Sequence, residues 1–356
     1  MKKTILHFIH SLGRGGAEVM LVRTLQELKE YRNIVVTVKD DYRFGDELQC
    51  DAHICLELNS IAALPLGIFK LKKIIREYDV DLVHTHLYWP TIISRFATPR
   101  SLPLITTIHA FIASSVEYTR WYIRLIDKIS YRWRRSEIVA VAAGALDDYF
   151  NFLHLKPWKK HVLYTFVDLE KFQHQKQHGF PAKPLRLVST GALRVQKNFP
   201  FLIRAFALLP AGQVELDIYG RGPLQQELQD LVDEKKVQVN LKGEIRNIEE
   251  LLPQYDAFVL ASTFEGFSLA VLEAMAVKLP LLLSNIASFN EQAADTARYF
   301  KLDDEQNLAN KILELVDAPG ESLRLSDAAF DRVQSCYTLP IHMQKLRWIY
   351  SSAFKN

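Results

Sequence analysis

Short apolar runs alternate with longer amphipathic stretches along almost the whole chain. In the first half, ILHFIHSL, IVVTVK, DLVHTH, LITTIH and IVAVA read as strands. They are brief, rich in β-branched residues and nearly continuous in hydrophobicity, as strands covered on both faces are. Between them, residues 17–31, 67–78 and 118–135 carry helical spacing. In the second half the strands are LRLVSTG, VELDIYG, VQVNLKG, AFVLAS and PLLLS, separated by helices over 199–209, 223–235, 248–252 and 268–277. Such alternation predicts parallel sheets with helices packed on both faces.

The alternation breaks once. DLEKFQHQKQHGFPAKP has no apolar period and carries two histidines and two prolines, so residues 167–184 read as a linker between domains. The expected division is 1–166, the linker, 185–337, and a closing amphipathic helix in 338–356. Ligands of open α/β sheets bind beyond the carboxyl ends of the strands. Two such domains facing each other across a cleft would hold one substrate each.

Composition narrows the class. Of the 356 residues, 49% are hydrophobic and 24% charged, the balance of a globular protein with about two domains. Cys50, Cys55 and Cys336 lack metal or redox spacing, which favours a reducing cytoplasm. Lys2-Lys3 before TILHFIHSL resembles a leader, but His7, His10 and the glycine-rich turn that follows favour a buried first strand. No apolar run approaches the roughly 20 residues a membrane span requires. The first 165 residues hold 23 Lys and Arg against 17 Asp and Glu, a net +6, and the remainder is −3. The N-terminal half is therefore the one to meet an anionic surface.

STFEGFSLAVLEAMAVKLP, residues 262–280, is the most informative segment. A strand ends, Glu265-Gly266-Phe267-Ser268 turns, and a helix begins. Its first N–H groups lack internal partners and form an anion cradle, and Gly266 lets the backbone approach a ligand closely. Glu265 and Glu273 stand roughly 7–8 Å apart along the axis. They can grip hydroxyls of two sugars with a diphosphate between them. Spacing alone fits equally a pair of surface glutamates, one of them beside a positive helix end.

The run E-G-F-S-L-A-V-L-E-A-M-A resembles the E-x7-E motif of the large retaining family of GT-B glycosyltransferases, the family 4-like or group 1 enzymes. The resemblance implies that Glu265 contacts donor-sugar hydroxyls and Glu273 the nucleotide ribose. The amides of Phe267, Ser268 and Leu269 would lie near the diphosphate or sugar. Gly191 to Asn198, GALRVQKN, resembles the family's G-R-L-x-x-x-K loop, whose cations neutralise the diphosphate. Lys197 takes the lysine position, but Ala192 stands where the arginine is expected, with Arg194 two residues on as a substitute. YGRGPL resembles the family's G-x-G-P loop through Gly220 and Gly222, with Pro223 suited to a first helical turn. Lys242-Gly243-Glu244-Ile245 is similar to the segment on which the family packs its nucleotide base.

In the first half, Gly13-Arg14-Gly15-Gly16-Ala17-Glu18 resembles the family's diphosphate loop, implying donor contact at Gly15 and Gly16. A ligand-free tight turn is the alternative. His84 and His86, at alternate strand positions, point the same way, but no acidic partner completes a metal site, and the family works without a bound metal or cofactor. His109 matches a histidine of the family's catalytic cleft, with a core or capping role as the alternative.

The stretch that opens at Tyr118 and closes at Arg135 carries Arg120, Arg124, Lys128 and Arg132 at four-residue spacing. Tyr122, Leu125, Ile126, Ile129 and Trp133 form its apolar face. It reads either as a domain helix packing that face on the sheet or as a peripheral contact with an anionic membrane.

The resemblance thus implies an α/β GT-B transferase with catalytic His109, Lys197 and Glu265. Its donor would be a nucleoside-diphosphate sugar, its acceptor a glycan or lipid-linked glycan. It would act in the cytoplasm or at the inner face of the cell membrane, without nucleic acid. An epimerase or hydrolase on the same scaffold, and a non-catalytic sugar-nucleotide-binding subunit, remain alternatives.

Overall fold

The computed structural model describes residues 2–13, 15–115, 117–173, 184–245 and 247–355. Arg14 of the first glycine loop and most of the expected linker, 174–183, lie outside the described residues. The chain divides into two units. One comprises the residues up to Thr165 together with those from Pro340 onward, and the other runs from Phe166 to Leu339.

The first unit follows the strand–helix order of the sequence. It comprises β1 (Thr4–Ile9), α1 (Gly16–Glu27), β2 (Arg32–Thr37), β3 (Ala52–Cys55), α2 (Leu64–Glu77), β4 (Leu82–His86), α3 (Tyr88–Ala97), β5 (Leu104–Ile108), α4 (Trp121–Trp133), β6 (Glu137–Ala140), α5 (Ala143–Phe152) and β7 (Lys160–Val162). The strands form one parallel sheet, ordered β3-β2-β1-β4-β5-β6-β7. All six residues of β1 and all five of β4 are buried, which is why these runs show no alternation. Side-chain direction still alternates: Leu6, Phe8 and Val83 join a core with α2 and α3, while Ile9 packs with Leu21, Val22 and Leu25 of α1.

The second unit contains β8 (Leu185–Thr190), α6 (Phe199–Phe206), β9 (Val214–Tyr219), α7 (Gln225–Lys235), β10 (Val239–Gly243), α8 (Ile248–Leu251), β11 (Ala257–Leu260), α9 (Leu269–Ala276), β12 (Leu281–Ser284), α10 (Ala287–Ala293), β13 (Arg298–Phe300), α11 (Glu305–Asp317) and α12 (Pro319–Cys336). Its parallel sheet runs β10-β9-β8-β11-β12-β13. Leu187, Leu216, Val259 and Leu282 of its strands pack against Phe201, Leu202, Leu308 and Ile312 of its helices.

The closing helix α13 (Leu339–Phe354) returns to the first unit. Tyr350 hydrogen-bonds His84 at 2.6 Å, His342 bonds the carbonyl of Tyr164 at 2.7 Å, and Arg347 pairs with Glu30 at 2.6 Å.

Helix α4 is turned differently from the domain-helix expectation. Its buried residues are Ile123, Asp127, Ser130 and Tyr131, whereas Trp121, Leu125, Ile129 and Trp133 are 45–68% exposed. The reason is a buried polar network. Asp127 accepts from Arg95 of α3 at 2.5 Å, from Tyr149 of α5 at 2.9 Å and from Tyr118 at 2.5 Å. Arg95 also reaches Ser130 at 3.0 Å. A paired charge takes the inner face, so the apolar stripe faces outward. No helix among the described residues is long and apolar enough to cross a membrane.

Candidate functional site

In the second sheet the winding direction reverses between β8 and β11, so the loops leaving these neighbouring strands diverge and open a crevice. Lys197, on the loop after β8, meets Glu265, on the loop after β11, with Nζ 2.6 Å from Oε1. Ser262 donates to the same oxygen at 2.7 Å. A backbone bond from Thr263 to Gln196 ties the two loops together at 2.8 Å. Both charged side chains are close to nine-tenths buried, so the pair is shielded from water yet stands at the strand ends.

The glycines fix this arrangement. A Cβ on Gly220 would lie 1.9 Å from the carbonyl oxygen of Gly191, and one on Gly222 would lie 2.3 Å from that of Leu193. The loop after β9 therefore stacks backbone to backbone on the lysine-bearing loop. In the structure, Gly220 and Gly222 support that loop. Ala192 and Arg194 are exposed, and Arg194 has no side-chain partner among the described residues.

Beyond Glu265 and Gly266 the chain enters α9. Phe267 is buried against Tyr337, with ring centroids 5.0 Å apart. The amide of Ser268, expected to face the ligand, instead donates to Gln292 Oε1 at 3.0 Å, and Gln292 returns a bond to the Ser268 carbonyl at 2.8 Å. This corrects the reading of Ser268 as an amide available to the ligand. The cradle falls to the next amides, those of Leu269 and Ala270, which open the helix without intrahelical acceptors.

Glu273 lies on α9, and its carboxyl is pushed up from about 4.5 to about 7. Burial is the main cause and Glu249 adds to it, while Lys197 opposes them. The folded chain thus holds this proton more tightly than the unfolded one. Stability falls as pH rises from about 4.5 to about 7, by at most ~3 kcal/mol. Glu273→Gln is expected to abolish that fall, leaving the variant more stable than its parent above pH 7 in thermal unfolding. Unfolding curves that stay parallel from pH 5 to pH 8 would contradict this.

In the first unit the winding reverses between β1 and β4. Gly15 caps α1 and Gly16 opens it, both exposed. A Cβ on Gly15 would meet the Glu18 carboxylate at 2.4 Å. His109 follows β5, and its Nε2 lies 3.1 Å from Nδ1 of His86. His84 and His86 do share a face, with ring centroids 4.3 Å apart. They are joined by His7 of β1 and His342 of α13 around a cavity of about 40 Å³. Burial lowers the His7, His109 and His342 rings to about 4, and lowers His84 and His86 well below the ordinary value. Sequence reasoning had used His7 only against a leader and had overlooked His342. His7↔His84 register across β1 and β4 joins residues distant in sequence, and no local period reports such a pairing.

Two family descriptions match the chain in order: glycosyltransferase family 4 over residues 14–171 and glycosyl transferases group 1 over residues 170–332. The N-acetylgalactosamine-N,N'-diacetylbacillosaminyl-diphospho-undecaprenol 4-alpha-N-acetylgalactosaminyltransferase of Campylobacter jejuni is 29% identical, over 76% of this chain and 77% of that protein. An Escherichia coli UDP-Gal:alpha-D-GlcNAc-diphosphoundecaprenol alpha-1,3-galactosyltransferase is 26% identical over 70% of each chain. Among solved structures, Anabaena HepE in complex with UDP and glucose superposes with a TM-score of 0.85. That match covers 98% of this chain and all of that one at 17% identity, a likeness of fold.

Proposed function

Because this chain belongs to the group 1, family 4 glycosyltransferases, we propose that it moves a hexose or related sugar from a nucleoside diphosphate to a hydroxyl of a lipid-linked glycan, with retention of configuration. Its fold class is GT-B, with two Rossmann-like units. The observation that carries the reading is the Lys197–Glu265 pair at the strand ends of the second unit. It supports the reading because it brings together one cation, a partner for a diphosphate, and one carboxylate, a partner for a sugar hydroxyl.

In this reading a diphosphate competes with Glu265 for the Lys197 ammonium and draws on Arg194 and the first amides of α9. Glu265, released, accepts from hydroxyls of the sugar, and Glu273 accepts from the ribose. The bond from the anomeric carbon to the diphosphate breaks as the bond to the acceptor oxygen forms on the same face. The acceptor proton passes to the departing diphosphate, so no separate protein base is needed. In the first unit, Gly15, Gly16 and His109 are the candidate residues. Both relatives named above make α-linkages on diphospho-undecaprenol carriers, which favours a membrane-linked acceptor and, from an α-linked donor, retention. The reaction is assigned no metal or cofactor.

The test is an assay of UDP-sugars with and without a diphospho-undecaprenol-linked acceptor. Acceptor-dependent release of UDP and an α-configured product by NMR are expected. An isomerised donor, or hydrolysis that ignores the acceptor, would replace the transferase reading with an epimerase or hydrolase.

The same reading places the enzyme at the inner face of the cell membrane through α4. Its outward stripe of Trp121, Leu125, Ile129 and Trp133 is flanked by Arg120, Arg124, Lys128 and Arg132. Each basic residue near an anionic surface is worth about 1 kcal/mol, and aromatic rings suit the headgroup region. Replacing Trp121 and Trp133 together by serine is expected to weaken binding to phosphatidylglycerol vesicles about tenfold or more in sedimentation. Unchanged sedimentation would exclude α4 as the docking element.

A further inference from the structure

The histidine cavity of the first unit contains two ring nitrogens that the fold leaves bare. His7 Nε2 faces Asn33 Oδ1 at 3.2 Å, and the amide nitrogen of Asn33 is committed to the Leu28 carbonyl at 2.9 Å. An amide oxygen only accepts, so His7 carries its proton on Nε2. Its Nδ1 is then a lone pair, and it is buried without a partner. His86 Nδ1 bonds His109, while His86 Nε2 is likewise buried and unpartnered. A buried orphan N–H is rarer than an orphan acceptor, which puts the His86 proton on Nδ1 and leaves a second lone pair on Nε2.

The third ring is His84, with a hydroxyl on each nitrogen: Tyr350 at 2.6 Å and Thr107 at 2.7 Å. One nitrogen each from His7, His84 and His86 lie within 4.8 Å of one another. They line a cavity of about 40 Å³, where a single water needs about 10–15 Å³. Buried polar atoms without partners call for an occupant, and this one must supply positive character to two nitrogen lone pairs.

We propose that His7, His84 and His86 bind one divalent transition-metal ion of the zinc type, whose fourth position is taken by water. Imidazole suits such ions, and three histidines with an open fourth position form a known type of zinc coordination. The outer partners are built in. Asn33 fixes the tautomer of His7, His109 that of His86, and either Tyr350 or Thr107 that of His84 once the other hydroxyl is released. Among the described residues no carboxylate lines the cavity, so the imidazoles face the full ionic charge until the bound water gives a proton to solvent, which halves it and which such sites favour near neutral pH. The ion clasps β1 to β4 at the switch point of the sheet and has no step in sugar transfer. The inference is independent of the transferase reading.

The experiment uses the full chain, stripped with a chelator and titrated with Zn²⁺ alone, followed by metal analysis after gel filtration and by thermal unfolding. The expected results are one tightly held ion per chain and a raised melting temperature. His7→Leu and His86→Leu should each weaken that site by more than the roughly 10–100-fold that loss of an outer partner costs. Co²⁺ should give the intense visible absorption of a four-coordinate site in the parent and not in the variants. Circular dichroism of the metal-free variants separates lost binding from lost folding. His84→Gln, which keeps a polar side chain facing Tyr350 and Thr107, serves as a ligand variant if either leucine variant fails to fold. Absence of a retained ion in the parent, or binding unaltered in folded variants, would overturn the site and leave an ordered water as the occupant.

Discussion

Lys197→Ala is expected to lower kcat/KM for sugar transfer by about 10²–10³-fold, the range seen when one preorganised partner of a developing negative charge is removed. The effect has two sources that can be separated. In the free protein Lys197 and Glu265 neutralise each other at 2.6 Å in a largely dry position. Removing the lysine strands the carboxylate, with a stability cost of about 1–3 kcal/mol. Removing both charges, as Lys197→Met with Glu265→Gln, recovers most of that stability because no charge is left unpaired. Turnover is not recovered, because the diphosphate has lost its cation and the sugar its acceptor. Steady-state kinetics and urea unfolding of the two single variants and the double variant check this. If Lys197→Ala kept kcat/KM within tenfold of the parent, Lys197 would not serve the departing diphosphate.

The largest stability effect should come from Asp127→Asn. Arg95 is fully buried, and its only carboxylate partner among the described residues is Asp127. The substitution leaves a guanidinium in the interior facing an amide. Breaking such a pair from one side costs about 3–5 kcal/mol, which lowers the melting temperature of a unit this size by about 10 °C or more. Replacing both partners by apolar residues of similar volume should cost much less. Equal losses for the single and double variants in calorimetry would show that packing, not the unpaired charge, sets the effect.

That network also marks where sequence reading stopped. The parallel sheets, the closing helix and the E-x7-E segment were legible because each is written in local period or local spacing. The outward turn of α4 was not. Its helical wheel favours burying Leu125 and Ile129, but Asp127 is drawn inward by Arg95, thirty-two residues earlier, and the helix rotates with it. Similarly, the helix start at Ser268 looked open until Gln292, from α10, proved to occupy its amide. The short strands β3, β7 and β13 escaped notice because three or four residues show no distinct period. His7 and His342 joined the cavity through pairings that only the folded chain creates.

The return of α13 to the first unit has a consequence for how the protein is made. The strands of the first sheet leave the ribosome early, but the helix that carries His342 and Tyr350 to their histidine-lined face follows the whole second unit. At a synthesis rate of roughly 5–20 residues per second, that face waits on the order of ten seconds or more for its cover. During that interval it is a half-finished surface, a natural target for chaperones that hold nascent chains. The second unit, continuous in sequence, can close before the first is complete.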